Sequence, residues 1–370
     1  MTGRPLRIGI DAHAIGERKT GNERFIANLI PALRRLCDHE MVLYFTEPGA
    51  AAAWPPADRT EARVLRPGHR LVRIPLTLPY RAARDRIDVL LVQYTGPPVI
   101  RCPVVTVVHD VGFARLPQFY TRAERIWMKR TIPLTMRRAA GVITVSEFSK
   151  EEIVGLYAIP RTRVTVAPNG VAPAFADGRR RAPSIEPPFF LSVGNLQPRK
   201  NLATLVRGYR SLLERRPEIP ERLVVVGQPW FEAETLHRET VDLRASGRLV
   251  FTGYVADEEL VGLLQGATAF AYPSVYEGFG LPPIEAMAAG APTLVSDIPV
   301  MREVLGDSAL RLSPSDPEAW ADALDRVSSD AGLRARLTEA GRARAASYTW
   351  EACARQVLSV LEESAATGRR

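Results

Sequence analysis

The sequence predicts two doubly wound α/β domains in series, each a parallel sheet wrapped by helices, and three observations carry that expectation. The chain has 370 residues, too many for one ordinary hydrophobic core. Short β-branched apolar runs recur along it with amphipathic stretches between them, the pattern of strands buried on both faces of a sheet. Midway the pattern stops for a stretch rich in proline, glycine and charge, and then starts again.

In order, the first series of strands is RIGI (7–10), MVLYF (41–45), DVLLV (88–92), VVTVVH (104–109), GVITV (141–145) and RVTVAP (163–168). Residues 174–188, AFADGRRRAPSIEPP, read as a linker. The second series is FFLSVG (189–194), RLVVVG (222–227), RLVFTG (248–253), ATAFAYP (267–273) and APTLVS (291–296), with helical stretches such as 201–216 between them. Domains are therefore expected over 1–178 and 186–349, with a ligand cleft between them. The tail, 333–363, is helical by pattern with a break near AASYTW. Its last helix, about 350–366, either covers the second sheet or returns to the first domain. No fixed-period repeat interrupts this scheme.

Hydrophobic residues at 46% and charged residues at 24% exclude a disordered or fibrous chain. No window approaches the roughly 18 consecutive apolar residues of a membrane-spanning helix. The start MTGRPLRIGIDAHAIG lacks the apolar core of a signal peptide, so the expected location is cytoplasmic. Cys37, Cys102 and Cys353 are far apart and form no CxxC pair, which reads as buried free thiols and not as disulfides or zinc ligands. The net charge of +8 suits nucleic acid, an anionic membrane surface or small anionic substrates. Nearly all of it is arginine in an alanine-rich chain, with lysine only at Lys19, Lys129, Lys150 and Lys200, so codon bias is the competing account.

In open α/β sheets, ligands bind beyond the carboxyl ends of strands, and each candidate motif falls at such a point. Gly16 and Gly21 bracket a loop before a helix; glycine there admits an anion to backbone amides, and a structural turn explains it equally well. His109 and Asp110 end an apolar run and should emerge at the sheet edge, while the five histidines lack metal-ligand spacing. Arg199 and Lys200 precede a helix starting near Asn201, read as its cap. Two cations there oppose the helix dipole, so they either await an anion or form a solvated charge pair.

In PSVYEGFGLPPIEAMAAG (273–290), a strand ends near Pro273, a loop carries Glu277-Gly278-Phe279-Gly280, and Pro282-Pro283 open a helix with Glu285 in its first turn. The two acids are either acceptors for ligand hydroxyls beside phosphate-binding amides, or a solvated loop acid and a dipole-complementing helix acid. The glycines flanking Phe279 favour the first reading, because they cost chain entropy unless backbone must approach closely.

The E-x7-E of EGFGLPPIE, with FTGYVADEELVGLLQGATAFAYPSVY, SVGNLQPRKNL, HD, GVITVSEFSKEEI and VAPNGV, strongly resembles the retaining glycosyltransferases of family 4 through most of the chain. The resemblance implies the GT-B fold, two Rossmann-like domains facing each other across a cleft. It implies a nucleotide-sugar donor held mainly by the second domain and an acceptor held mainly by the first. Matched by motif, Glu285 binds the ribose, Glu277 contacts donor-sugar hydroxyls, and Arg199 and Lys200 neutralise the diphosphate. Amides of Gly278, Phe279, Gly280 and Leu281 hold sugar and phosphate, and the backbone at Val255 in FTGYV meets the base. His109, with Asp110 beside it, lies near the transferred sugar, and Gly21 sits in a loop closing over the phosphates.

Where many relatives carry Gly-Arg this chain has Gly194-Asn195, so the cation set rests on Arg199 and Lys200. No cofactor and no metal are implied; the two cations stand in at the leaving diphosphate. The implied mechanism retains anomeric configuration, with Glu277 orienting the donor and the leaving phosphate receiving the acceptor proton. The implied donor is GDP-mannose first, then UDP-glucose or UDP-N-acetylglucosamine. The acceptor is a saccharide or lipid-linked saccharide of polysaccharide or glycolipid synthesis, and nucleic acid is not an expected partner.

A nicotinamide oxidoreductase fails on fingerprint, since no G-x-G-x-x-G follows a strand, and no P-loop occurs. A non-catalytic nucleotide-sugar binder is the remaining competitor. Residues 121–138 mix Trp127 and Met128 with Arg122, Arg125, Lys129, Arg130, Arg137 and Arg138. They form either a peripheral contact to the inner face of the cell membrane, or a solvated helix packing Ile126, Trp127 and Ile132 inward.

Overall fold

The computed structural model describes residues 4–16, 20–55, 57–228 and 233–367. It divides into two compact units, Met1–Gly170 with Thr349–Arg370, and Val171–Tyr348.

The first unit is built on seven strands: β1 (Arg7–Asp11), β2 (Glu40–Phe45), β3 (Thr60–Val64), β4 (Val89–Gln93), β5 (Val104–Val107), β6 (Gly141–Thr144) and β7 (Val164–Val166). They lie in the order β3-β2-β1-β4-β5-β6-β7, and every pairing is parallel, with Ile8 between Met41 and Val89. The interior strand β4 is buried throughout, which is why such strands read as unbroken apolar runs. Strand β3, TEARV, was not expected; as an edge strand it exposes Ala62 and Arg63 and carries no apolar run.

Helix α1 (Thr20–Leu36) turns Phe25, Ile26, Leu29, Ile30 and Leu33 into the core at the spacing of one helical face. Helix α2 (Arg122–Arg138) opens with a capping box of Thr121 and Glu124, and α3 (Glu147–Tyr157) with the Ser146 hydroxyl accepting from the Ser149 N–H. Along α2 the inward stripe is Ile132, Pro133, Thr135 and Met136, whereas Ile126 is 43% exposed, contrary to the inward packing expected of it. Trp127 is half-buried, with the Arg70 guanidinium 5.2 Å from its ring centre.

The C-terminal helix Trp350–Thr367 belongs to this first unit, packed along α1 and against β4 to β7. Phe25 meets Trp350 edge-to-face at 5.9 Å, and Cys353, Val357 and Leu361 are fully buried. The chain passes so close that a Cβ on Gly170 would fall on the backbone nitrogen of Trp350.

The second unit carries six strands: β8 (Phe189–Val193), β9 (Arg222–Val226), β10 (Leu249–Gly253), β11 (Ala269–Tyr272), β12 (Thr293–Ser296) and β13 (Leu310–Leu312). Their order is β10-β9-β8-β11-β12-β13, again all parallel. The unexpected β13 is a half-buried edge strand of three residues. Helices α4 (Leu202–Arg215), α5 (Asp257–Gly266), α6 (Leu281–Ala289), α7 (Pro317–Ser329) and α8 (Ala331–Ala345) wrap this sheet. Phe190, Leu205, Tyr209, Leu223, Val225 and Trp320 share its core.

The stretch read as a linker is fastened to α5. Gln265 accepts from the Arg181 N–H and donates to the Arg179 carbonyl, each at 2.8 Å. In both sheets the strand order reverses beside the first strand, between β1 and β4 and between β8 and β11, which is where doubly wound folds leave room for ligands. Among the described residues no helix is long and apolar enough to cross a membrane.

Candidate functional site

At the reversal point of the second sheet, the loop after β8 and the loop after β11 are joined residue by residue. Val275 donates its N–H to the Arg199 carbonyl at 3.0 Å, and the Arg199 guanidinium donates to the Tyr276 carbonyl at 2.6 Å. Asn201 precedes α4 in the left-handed conformation (φ 55°), which asparagine tolerates better than most residues. Its side chain does not cap the helix as expected. Instead its amide donates to the carbonyls of Pro273 at 3.0 Å and Pro314 at 2.7 Å, fixing the Arg199-Lys200 turn to the end of β11.

Glu277 lies between the two cations. Its carboxylate is 3.0 Å from Arg199 Nη1 and 2.7 Å from Lys200 Nζ, and it accepts from Ser274 Oγ at 2.5 Å and Tyr272 Oη at 2.9 Å. Lys200 also donates to the Tyr272 hydroxyl. Burial alone would raise the Glu277 carboxyl, but the charges of Arg199 and Lys200 overrule it and hold it down to about 2. Burial pushes the Tyr272 phenol well above its ordinary range, so it stays a donor. Neither the solvated charge pair nor the solvated loop acid exists here: the side chains of Arg199 and Lys200 are each 14% exposed and that of Glu277 is 10% exposed.

Next along the chain, Gly280 caps α6 at φ +100°, and a Cβ there would stand 2.8 Å from the Met301 methyl. Pro282 and Pro283 have no N–H, so the N–H groups at this end are those of the loop and Leu281. Phe279 is 4% exposed and packs edge-to-face on Tyr348 at 5.3 Å, anchoring the loop. Glu285 corrects an expectation. Because α6 starts at Leu281, Glu285 is its fifth residue, in the second turn, and buried; the first turn contains no acid. Val255 is buried just beyond the outer strand β10, with β9 and β8 between that strand and β11.

Comparison with known proteins bears on this geometry. The model of Glycosyl transferases group 1 matches residues 178–344, and that of Glycosyltransferase Family 4 matches residues 20–175. O-antigen chain mannosyltransferase B of Escherichia coli is 30% identical over 267 residues, 69% of each chain. The chain belongs to glycosyltransferase family 4. O-antigen chain mannosyltransferase RfbU of Salmonella typhimurium is 27% identical over 86% of this chain and 90% of its own. Among solved structures, sucrose-phosphate synthase from Thermosynechococcus elongatus superposes with TM-score 0.75 at 21% identity, covering 98% of this chain and 100% of that one. WaaG, a glycosyltransferase involved in lipopolysaccharide biosynthesis, gives 0.72 at 15% identity, covering 96% and 99%. The fold is GT-B.

In the first unit of this family 4 chain, His109 stands two residues past β5 and is half-buried, edge-to-face with Phe25 at 4.8 Å. Its Nε2 lies 2.8 Å from Gln93 Oε1 at the end of β4. Burial pushes its imidazole down to about 4, so it is neutral at neutral pH, with Nε2–H donating to Gln93 and Nδ1 left as an acceptor. Asp110 accepts the Gly112 N–H at 2.8 Å and so closes the turn that follows. Gly21 is the second residue of α1, not part of a loop, and a Cβ there would meet nothing within 4 Å. Residues 17–19 lie outside the described residues.

Several polar residues escaped the sequence reading. Asp11, fully buried at the end of β1, binds Arg73 Nη1 at 2.5 Å and His13 Nδ1 at 3.0 Å. Burial would raise its carboxyl, but His13 and Arg73 hold it well below the usual range. Asp11 and Gln93 are each the first polar residue after an apolar strand, the signal that singled out His109. Ser274 and Tyr272 gave no such signal, and Asn201 was read only as a helix cap. Among the described residues no group of three or more His, Cys, Asp or Glu side chains is gathered as a metal ion would need.

Proposed function

We propose that this glycosyltransferase moves mannose from GDP-mannose, with retention of configuration, to a saccharide or lipid-linked saccharide acceptor of polysaccharide or glycolipid synthesis. The observation that carries the reading is the convergence of Arg199 and Lys200 on the loop holding Glu277, at the reversal point of the second sheet. Two partly buried cations beside an amide-bearing loop suit a diphosphate, and buried carboxylates at Glu277 and Glu285 suit sugar and ribose hydroxyls. The choice of mannose is supported by the two O-antigen mannosyltransferases among the relatives.

In this reading the bond from the anomeric carbon to the diphosphate breaks with its electron pair passing to the leaving oxygen, whose charge Arg199 and Lys200 neutralise without a metal. The acceptor hydroxyl attacks from the same face, and its proton passes to that leaving oxygen. Glu277, ionised throughout, orients donor hydroxyls and is not a nucleophile. The loop amides from Gly278 to Leu281 hold sugar and phosphate, Glu285 the ribose, and the backbone at Val255 the base. In the first unit His109, neutral, is assigned a hydrogen bond to the transferred sugar, Asp110 the support of its loop, and Gly21 a backbone contact to phosphate.

The test is transfer from GDP-mannose, UDP-glucose and UDP-N-acetylglucosamine to a mannosyl oligosaccharide, with the new linkage read by proton NMR. An α-linked mannoside from GDP-mannose is expected. A β-linkage contradicts retention, and binding of a donor without transfer to any acceptor makes the chain a nucleotide-sugar binder.

A further inference from the structure

We propose that Glu277 is the counter-anion against which Arg199 and Lys200 exchange a nucleoside diphosphate, so that its carboxylate weakens the hold on that leaving product and speeds its release. The inference rests on the donor site proposed above and goes further, from where the diphosphate binds to what limits its binding. Both cations are engaged by one carboxylate, Arg199 at 3.0 Å through Oε2 and Lys200 at 2.7 Å through Oε1. Glu277 does not sit there by default. Ser274 and Tyr272 donate to the same Oε1 at 2.5 and 2.9 Å, so the carboxylate is held in place by two neutral groups as well as by the charges.

A diphosphate drawing on these cations must do so beside a fixed negative charge, in surroundings where water screens little. Two like charges sharing one pair of cations repel each other, and each weakens the hold on the other. While the diphosphate is bonded to the sugar, interactions of Glu277 with sugar hydroxyls compensate for that repulsion. Once the sugar has left, the repulsion remains and the compensation is gone, so the product leaves while Glu277 keeps both cations paired.

The experiment measures binding and release of GDP and UDP by calorimetry and stopped-flow, with guanosine and uridine as controls. Wild type is compared with Glu277→Gln and Ser274→Ala. Glu277→Gln removes the charge while keeping a hydrogen-bonding group of the same shape. It is expected to bind the nucleoside diphosphate about tenfold tighter and release it correspondingly more slowly, with nucleoside affinity changed less than twofold. Ser274→Ala leaves the charge but removes one of the groups that hold it, and a smaller tightening, about threefold, is expected. If Glu277→Gln is folded by circular dichroism and binds the diphosphate no tighter than wild type, the inference is overturned. Should that variant not fold, Ser274→Ala decides: tightening supports the exchange, and unchanged or weaker binding overturns it. Wild type that binds neither GDP nor UDP contradicts the donor site itself and not merely this property of Glu277.

Discussion

Two residues, His109 in the first unit and Glu277 in the second, each lose a stabilising contribution as pH falls, in separate pH windows. Folded His109 is held down to about 4 against an ordinary value of 6.5, so the unfolded chain takes the proton first. Its contribution is full above about pH 6.5 and is lost as pH falls toward 4. Folded Glu277 is held down to about 2 against 4.5, so its contribution is full above 4.5 and is lost as pH falls toward 2. Each shift corresponds to about 3 kcal/mol in order of magnitude. Thermal melts against pH should therefore show His109→Gln flattening the slope between 6.5 and 4 while leaving the lower window unchanged; parallel curves for variant and wild type would contradict the burial argument. At Asn201, glycine keeps the left-handed backbone but loses both amide hydrogen bonds, a cost of about 2 kcal/mol. Alanine adds about 1 kcal/mol of backbone strain. Denaturant midpoints should rank wild type above Asn201→Gly above Asn201→Ala, and both variants should bind GDP more weakly because the Arg199-Lys200 turn is no longer fastened to β11.

The C-terminal helix Trp350–Thr367 offers a test at the level of a single element. Its docking depends on Gly170, where any Cβ collides with the Trp350 backbone, and it hides the Cys353 thiol, which burial pushes up to about 12. Gly170→Ala should cost about 3 kcal/mol and, with Cys37 and Cys102 replaced by serine, should make Cys353 react with a thiol reagent many times faster than in the parent. Equal labelling rates would show that this helix is not held through Gly170. The interior strands were legible because burial on both faces writes a continuous apolar run. Strands β3 and β13 were not, since neither contains a buried residue, whereas the edge strands β7 and β10, which were read, each begin on a buried one. Glu285 was placed in the first turn because the prolines were taken as the helix start, whereas Gly280 is the cap and Leu281, one residue ahead of them, opens the helix. The strand-end rule singled out His109, Arg199, Lys200 and Glu277 as candidates. It could not find that Glu277 pairs with both cations, or that Asn201 ties their turn to β11, because those relations join residues far apart in sequence and exist only in the fold.

For the whole molecule, the net charge of +8 gives one of the two readings of residues 121–138, the peripheral membrane contact, a measurable form. Leu71, Leu76 and Tyr80 are more than half exposed on a segment that reaches α2 through Arg70 and Trp127, and α2 presents exposed Ile126 beside exposed Arg122, Lys129 and Arg130. Sedimentation with phosphatidylglycerol vesicles should show binding that falls as salt shortens the screening length and that is lost when Arg122, Lys129 and Arg130 are changed to glutamate. Binding unchanged by either treatment would remove electrostatics as its cause. The central claim, that the second unit holds a nucleoside diphosphate sugar through Arg199 and Lys200, is tested most directly by titrating GDP-mannose into wild type and into the Arg199→Ala/Lys200→Ala variant by calorimetry. Saturable binding weakened at least 100-fold in the variant, with guanosine affinity unchanged, is the predicted result. Equal affinity of the two proteins for GDP-mannose would contradict it.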